Sequence, residues 1–132
     1  MSCSKAQIKD LHDFQWKNRL LIICTNSDTQ SQIEHQLAEI EKAKKDFAER
    51  DLKVVILRNQ KVEIWNSSAS HQLAYGQIIQ ELNIRTEKSY QNLLIGKDGG
   101  VKLREDSPIS NQKLFNTIDA MPMRQREMRD GN

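Results

Sequence analysis

The chain has 132 residues, 37% of them hydrophobic and 29% charged, with a formal net charge of +2. This length predicts one domain over residues 1–132, with a core over about residues 11–121 and a basic tail over residues 122–132. The small net charge argues against nucleic acid as a partner. No apolar run reaches the ~18 residues of a membrane span. Two cysteines are too few for a disulfide scaffold.

The first half of the chain has the pattern of a strand, a helix and a second strand. Residues 19–25 (RLLIICT) form a continuous apolar run, which is typical of a strand buried on both faces. Two overlapping capping-box patterns, which begin at Thr29 and Ser31, predict a helix that runs to about Arg50. Its apolar residues recur at helical spacing: Ile33, Leu37, Ile40 and Phe47. Residues 53–57 (KVVIL) predict a second buried strand and hence a right-handed βαβ unit.

The pattern of the second half is less regular at its start. Residues 58–70, with apolar Val62, Ile64 and Trp65, predict either a short strand or an irregular loop. Residues 75–82 predict a short helix. Ser110 is a suitable cap for a last helix, which Pro122 ends. The apolar residues of that helix are Leu114, Phe115, Ile118 and Met121. The basic tail either continues as a helical turn or frays.

Between these helices, residues 91–105 (QNLLIGKDGGVKLRE) have the pattern of a β-hairpin. The Gly99-Gly100 pair favours a turn, because glycine takes positive φ without steric cost. The alternation after the turn predicts that Val101 and Leu103 are buried. It also predicts that the side chains of Lys102 and Arg104 face solvent.

The complete element order predicts an α/β domain. Strand, helix and strand are followed by a short helix, two strands and a last helix, which is the layout of a thioredoxin-like fold. This fold has a four-stranded mixed sheet in the order 2-1-3-4, flanked by helices on both faces. An α/β domain of a different topology is the alternative.

Four segments resemble the P-DUDES family, a domain of unknown function found in many bacterial proteins. They are residues 16–19 (WKNR), 49–51 (ERD), 93–104 (LLIGKDGGVKLR) and 118–129 (IDAMPMRQREMR). Related domains occur in vertebrate sushi-repeat and coiled-coil-containing matrix proteins. The resemblance implies a thioredoxin-like fold related to peroxiredoxins. The family has no established catalytic residues, so the resemblance implies none here.

Thiol chemistry is the first activity to consider for such a fold. Thioredoxins and peroxiredoxins place a reactive cysteine just after the first strand, where the following helix lowers its pKa. Here the loop reads Thr25-Asn26-Ser27-Asp28, so that Asp28 stands where a peroxiredoxin-like spacing places the cysteine, and no Cys-x-x-Cys is present. Cys24 remains, and it is either a buried core residue or a lone reactive thiol. Cys3 precedes the predicted core.

In the predicted topology, four segments meet at the end of the sheet opposite this loop, and we call this end the charged pole. They are residues 16–19, 49–51, 97–100 and 119–129. Its candidate interaction residues are Trp16, Lys17, Arg19, Arg50, Lys97, Asp98, Arg124 and Arg126. One interpretation, which we favour, is a structural ion-pair cluster with apolar packing from Trp16, Met121 and Met123. The other is a docking surface for a protein or an acidic ligand.

The sequence therefore favours a non-enzymatic binding or interaction module with an unknown protein or an acidic ligand as partner. The alternative is a peroxiredoxin-like thiol oxidoreductase that uses Cys24. His12, His35 and His71 lack metal-ligand spacing, and no motif indicates a cofactor. No charged and apolar leader opens the chain, which favours the cytoplasm for the chain as written and a secreted or periplasmic location if a leader has been removed.

Overall fold

The computed structural model describes residues 10–26, 30–67 and 71–130. A 3₁₀ helix at Leu11–Phe14 precedes the first strand. The strands are β1 (Arg19–Thr25), β2 (Leu52–Arg58), β3 (Lys61–Ile64), β4 (Tyr90–Ile95) and β5 (Val101–Glu105). The helices are α1 (Gln30–Lys42), α2 (Lys44–Glu49), α3 (Tyr75–Glu81), α4 (Asn111–Asp119) and α5 (Pro122–Asp130). None of the described helices is long and apolar enough to cross a bilayer.

The five strands form one mixed sheet in the order β3-β2-β1-β4-β5. β1 pairs with β2 in parallel and with β4 in antiparallel register. The predicted order 2-1-3-4 is therefore confirmed, because it corresponds to β2-β1-β4-β5 of the structure. β3 adds a fifth strand beside β2. Of the two structures expected for residues 58–70, the short strand is the one observed.

The sheet separates two apolar cores because residues of the central strand alternate between its faces. Leu20, Ile22 and Cys24 of β1 belong to a core with the 3₁₀ helix and α3. Leu21 and Ile23 belong to the other core, which α1, α2 and α4 cover. All seven residues of β1 are buried, as the apolar run predicted.

Three local predictions differ from the structure. The predicted long helix is divided into α1 and α2, because the backbone of Ala43, with φ −118° and ψ 30°, departs from helical geometry. Val101 was predicted to be buried but is 40% exposed, because it follows a register irregularity and lies on the edge strand. Pro122 was predicted to end the last helix, but it is also the first residue of α5. Proline is favoured at this first helical position.

The β2–β3 turn contains a residue whose backbone strain can be relieved by substitution. Asn59 and Gln60 have φ angles of 53° and 60°, as a two-residue turn of this handedness requires. Asparagine tolerates this conformation, whereas glutamine pays a steric cost that glycine avoids. We expect Gln60→Gly to raise the free energy of unfolding by about 0.5 kcal/mol in urea denaturation, with a smaller gain for Asn59→Gly. A lower stability of Gln60→Gly would contradict this account of the turn.

Candidate functional site

The four segments of the charged pole are joined by hydrogen bonds at the end of the sheet where β1 begins. The backbone N–H of Trp16 donates to the carbonyl of Lys97 at 2.6 Å. The backbone N–H of Arg19 donates to the carbonyl of Asp51 at 2.8 Å. The α5 segment joins through Glu127, which lies 3.2 Å from the Arg19 guanidinium. The pole is therefore built from the start of β1, the exit of α2, the β4–β5 turn and α5.

Arg19 is the centre of the first half of the ion-pair cluster. Its Nη1 and Nη2 donate to the two carboxylate oxygens of Glu127, both at 3.2 Å, and Nη1 also donates to the carbonyl of Arg50 at 2.8 Å. Lys97 Nζ contacts the same Glu127 carboxylate at 2.6 Å and Asp51 at 2.8 Å. Arg19 is only 1% exposed and the Glu127 side chain is 27% exposed, so this partly buried pair is a tether between the central strand and the C-terminal helix.

Asp119 is the centre of the second half of the cluster. Arg50 donates to it from Nε at 3.0 Å and from Nη2 at 2.9 Å. Arg124 donates to the same carboxylate from Nε at 3.1 Å and reaches Glu49 from Nη2 at 2.8 Å. The guanidinium of Arg50 also stacks on the Phe115 ring, 4.3 Å from its centroid. Both arginines are buried, and α4 and α5 are thereby fixed to the exit of α2.

The two central carboxyl groups remain ionised because their cationic neighbours outweigh burial. Burial alone would raise the pKa of Glu127, but hydrogen bonds from Lys97 and Arg19 hold that pKa below its ordinary value of 4.5. Burial likewise opposes the ionised form of Asp119, yet hydrogen bonds from Arg50 and Arg124 lower its pKa from the ordinary 3.8. Both central carboxyl groups are therefore charged at neutral pH.

These lowered pKa values predict a loss of stability in acid. A carboxyl group whose pKa is lower in the folded chain stabilises it above the ordinary pKa, and this contribution is lost as pH falls. We expect the free energy of unfolding, measured in urea, to fall as pH drops below about 4.5, and to fall less steeply in Glu127→Gln. Glu63→Gln, a surface carboxylate 3.4 Å from Arg58, is the control. An unchanged acid dependence in Glu127→Gln would be inconsistent with this role.

The eight candidate residues of the pole divide into a buried set and a surface set. Arg19, Arg50, Lys97 and Arg124 are buried in the ion-pair cluster, as the structural interpretation expected. Asp98 accepts from the backbone N–H of Gly100 at 3.0 Å and from Lys102 Nζ at 2.9 Å, which orders the β4–β5 turn. The side chains of Trp16, Lys17 and Arg126 are exposed. That any of the eight contacts a partner stays a prediction.

Trp16 does not supply the apolar packing that was expected of it. The side chain is 62% exposed, and the residue has a φ angle of 68°, which is rare for a bulky side chain. The hydrogen bond to Lys97 and one from Gln15 Nε2 to the carbonyl of Asp98, at 2.9 Å, fix the backbone in this conformation. Met121 is half-buried and does pack on the core beside α1 and α4.

Beside the ion pairs, the pole contains a cleft of about 430 Å³ between the β4–β5 turn and the α4–α5 junction. We call it the Met cleft. Its lining residues are Arg19, Gly96, Lys97, Asp98, Lys102, Thr117, Ala120, Met121, Pro122 and Met123. One side is thus cationic and the other is apolar. Sequence reasoning missed Lys102 and Thr117, although the predicted outward orientation of Lys102 was a signal.

Cys24 lies at the opposite end of the sheet, where a thiol enzyme of this fold would have its reactive cysteine. Cys24 is 9% exposed. Burial raises the pKa of its thiol, and a hydrogen bond with Tyr75 opposes that shift only in part. The thiolate that thiol chemistry requires is therefore disfavoured. Asp28 and Cys3 lie outside the described residues, and Asn26, at the start of the loop, is exposed.

Comparisons with known proteins place the chain in a family. A family model described as a domain of unknown function, DUF4174, matches residues 10–127. The chain belongs to this family. A comparison with curated proteins gave no match for this DUF4174 domain. The P-DUDES family is named by none of the comparisons, so that resemblance stays a prediction.

Solved structures similar to the DUF4174 domain include two peroxiredoxins and a thioredoxin peroxidase of Plasmodium. The reduced 2-Cys peroxiredoxin of Plasmodium vivax is 17% identical with a TM-score of 0.60, and the match covers 88% of this chain and 84% of that chain. The mitochondrial 2-Cys peroxiredoxin of Plasmodium falciparum is 15% identical with a TM-score of 0.56, over 83% and 79% of the two chains. Thioredoxin peroxidase I of Plasmodium yoelii is 17% identical with a TM-score of 0.56, over 92% and 81%.

These likenesses confirm the predicted thioredoxin-like fold, with five strands where four were expected. At such identities they describe the fold and not the activity. The described residues contain no group of three or more histidine, cysteine or acidic side chains arranged to hold a metal ion.

Proposed function

We propose that this DUF4174 domain is a non-enzymatic binding module whose ligand binds at the charged pole. The Met cleft is the observation that carries the proposal, because it joins cationic and apolar walls in a volume of about 430 Å³. Ligand sites are commonly concave, mostly apolar and provided with a few convergent polar groups, in volumes of about 300–1,000 Å³. The cleft has this composition.

The ion-pair cluster supports the proposal by making the cleft rigid on its cationic side. Arg19 and Lys97 are held by Glu127, and the β4–β5 turn is held by Asp98. A site whose charged groups are fixed before binding loses less entropy when a ligand binds. The exposed Trp16 and Lys17 at the edge of the pole add an aromatic and a cationic contact for a larger partner.

The environment of Cys24 favours binding over the alternative of thiol catalysis. An exposed sulfur with a basic neighbour would have favoured a peroxiredoxin-like reductase. The thiol is instead buried within the core beside α3, and its pKa is raised by burial.

A thermal-shift panel tests the proposal. Small organic acids, phosphate esters and neutral analogues are screened against the wild type, Lys102→Gln and the matched control Lys113→Gln. Both lysines are partly exposed and contact one carboxylate, but Lys102 lines the cleft and Lys113 contacts Glu105 outside it. We expect stabilising compounds whose effect is lost in Lys102→Gln and kept in Lys113→Gln. If no compound distinguishes the two variants, the proposed site is wrong.

A further inference from the structure

Arg19, which lines the Met cleft, has a buried hydrogen-bond donor that the described part of the protein leaves unused. Both terminal nitrogens of Arg19 are occupied by Glu127, and one of them also by the carbonyl of Arg50. Its Nε, by contrast, has no hydrogen-bond partner among the described residues, although Arg19 is 1% exposed. Buried polar groups are nearly always satisfied, so this donor is available to an acceptor that arrives with a ligand.

Lys102 provides a second, movable cation at the same wall. Its aliphatic chain crosses Gly96 so closely that a Cβ built on the glycine would lie 2.6 Å from Lys102 Cε. Its ammonium contacts Asp98 at 2.9 Å, and the side chains of Lys102 and Asp98 are 35% and 45% exposed. Exposed pairs of this kind are worth little. Lys102 can therefore exchange Asp98 for a ligand anion without a large loss of stability.

The charge of the cationic wall suits a monoanion better than a dianion. Arg19, Lys97 and Lys102 line the cleft. Two carboxylates contact these cations directly: Asp98, which also lines the cleft, and Glu127, which does not. Asp51, whose side chain is 49% exposed, also contacts Lys97, so three carboxylates lie beside the three cations. The wall therefore carries little net positive charge, which is a poor match for a dianion.

The opposite wall is apolar and adaptable. Ala120, Met121, Pro122 and Met123 form it at the α4–α5 junction. Methionine side chains are unbranched and flexible, so they can fit a linear chain. A polar head and an apolar tail thus each have a matching wall.

We propose that the Met cleft binds a small monocarboxylic acid with an unbranched apolar chain. The inference rests on the proposed function and names the ligand class of that same site. The carboxylate is accepted between Arg19 Nε and Lys102 Nζ, and the chain lies along Met121, Pro122 and Met123. Binding satisfies the unused donor of Arg19 and buries the apolar wall.

Octanoate is the probe. Its binding is monitored by ¹³C NMR of the methionine methyl groups, which are assigned with the variants Met121→Leu and Met123→Leu. Acetate is the anion without a tail, and 1-octanol is the tail without a charge. We expect saturable shifts of Met121 and Met123 with a Kd of about 1 mM or lower for octanoate, and affinities at least tenfold weaker for both other probes. In Lys102→Gln the octanoate Kd rises at least tenfold, and in Lys113→Gln it stays within twofold.

Equal affinity for octanoate and 1-octanol would overturn the inference, because the carboxylate would then not be recognised. Absence of octanoate binding, or equal weakening by both lysine variants, would also overturn it. These failures are distinguishable from failure of the proposed function. If the thermal-shift panel finds another compound class that depends on Lys102, the cleft is a binding site and only the monocarboxylate assignment is wrong.

Discussion

Replacing Arg19 with methionine is expected to lower the free energy of unfolding by about 3 kcal/mol, the largest loss from any single substitution considered at the charged pole. The variant removes both hydrogen bonds to Glu127 and the bond to the carbonyl of Arg50. The Glu127 carboxylate then keeps Lys97 at 2.6 Å and Arg124 at 3.9 Å. Methionine retains the apolar stem, so the loss reports the guanidinium rather than the packing of its carbon atoms.

The measurement is urea unfolding at pH 7, with Arg58→Met as the matched control. Arg58 also lies at the end of a strand and contacts one carboxylate, Glu63, at 3.4 Å, but its side chain is 29% exposed. We expect the control to lose about 0.5 kcal/mol or less, as is usual for surface pairs. Similar losses in the two variants would mean that the Arg19–Glu127 pair does not tether α5.

Asp119→Asn is expected to lower the free energy of unfolding by about 2 kcal/mol. Asparagine has nearly the same shape but lacks the charge, and its amide nitrogen cannot accept from a guanidinium. Arg50 and Arg124 would lose the carboxylate that they share at 2.9–3.1 Å. Each keeps other contacts, Arg50 with the Phe115 ring and Arg124 with Glu49, so we expect a smaller loss than for Arg19.

Asp106→Asn is the control for this substitution, because Asp106 contacts Lys88 at 3.3 Å and is mostly exposed. Since the pKa of Asp119 is lowered in the folded chain, the difference between wild type and Asp119→Asn must shrink as pH falls below about 4. A difference that stays constant between pH 7 and pH 3, or a loss no larger than that of Asp106→Asn, would contradict the assigned role.

The fold was predictable where local pattern and buried surface agree. The apolar run of β1 and the alternation of β5 indicated their strands, and strand order followed from the sequence of elements. β3 was left open because its turn, Asn59-Gln60, lacks the glycine that signals a two-residue hairpin. Tertiary contacts stabilise the turn at a cost in backbone strain, which local propensity cannot show.

The site was predictable as a meeting of segments but not as a set of contacts. Topology indicated that the start of β1 and α5 approach each other, yet the partner of Arg19 is 108 residues away at Glu127. The pattern predicted a packed tryptophan at residue 16. The structure has that side chain exposed, since the left-handed backbone of Trp16 turns it outward. The Met cleft depends on the α4–α5 junction, whose geometry Pro122 sets.

Reduction of hydrogen peroxide by wild type and Cys24→Ser, with excess dithiothreitol and a Cys3→Ser background, tests most directly whether this thioredoxin-like domain works by binding rather than by thiol chemistry. The buried thiol, with its pKa raised, predicts equal rates for the two proteins that do not exceed the rate of dithiothreitol alone. A faster rate in the protein with Cys24, lost in Cys24→Ser, would contradict the account.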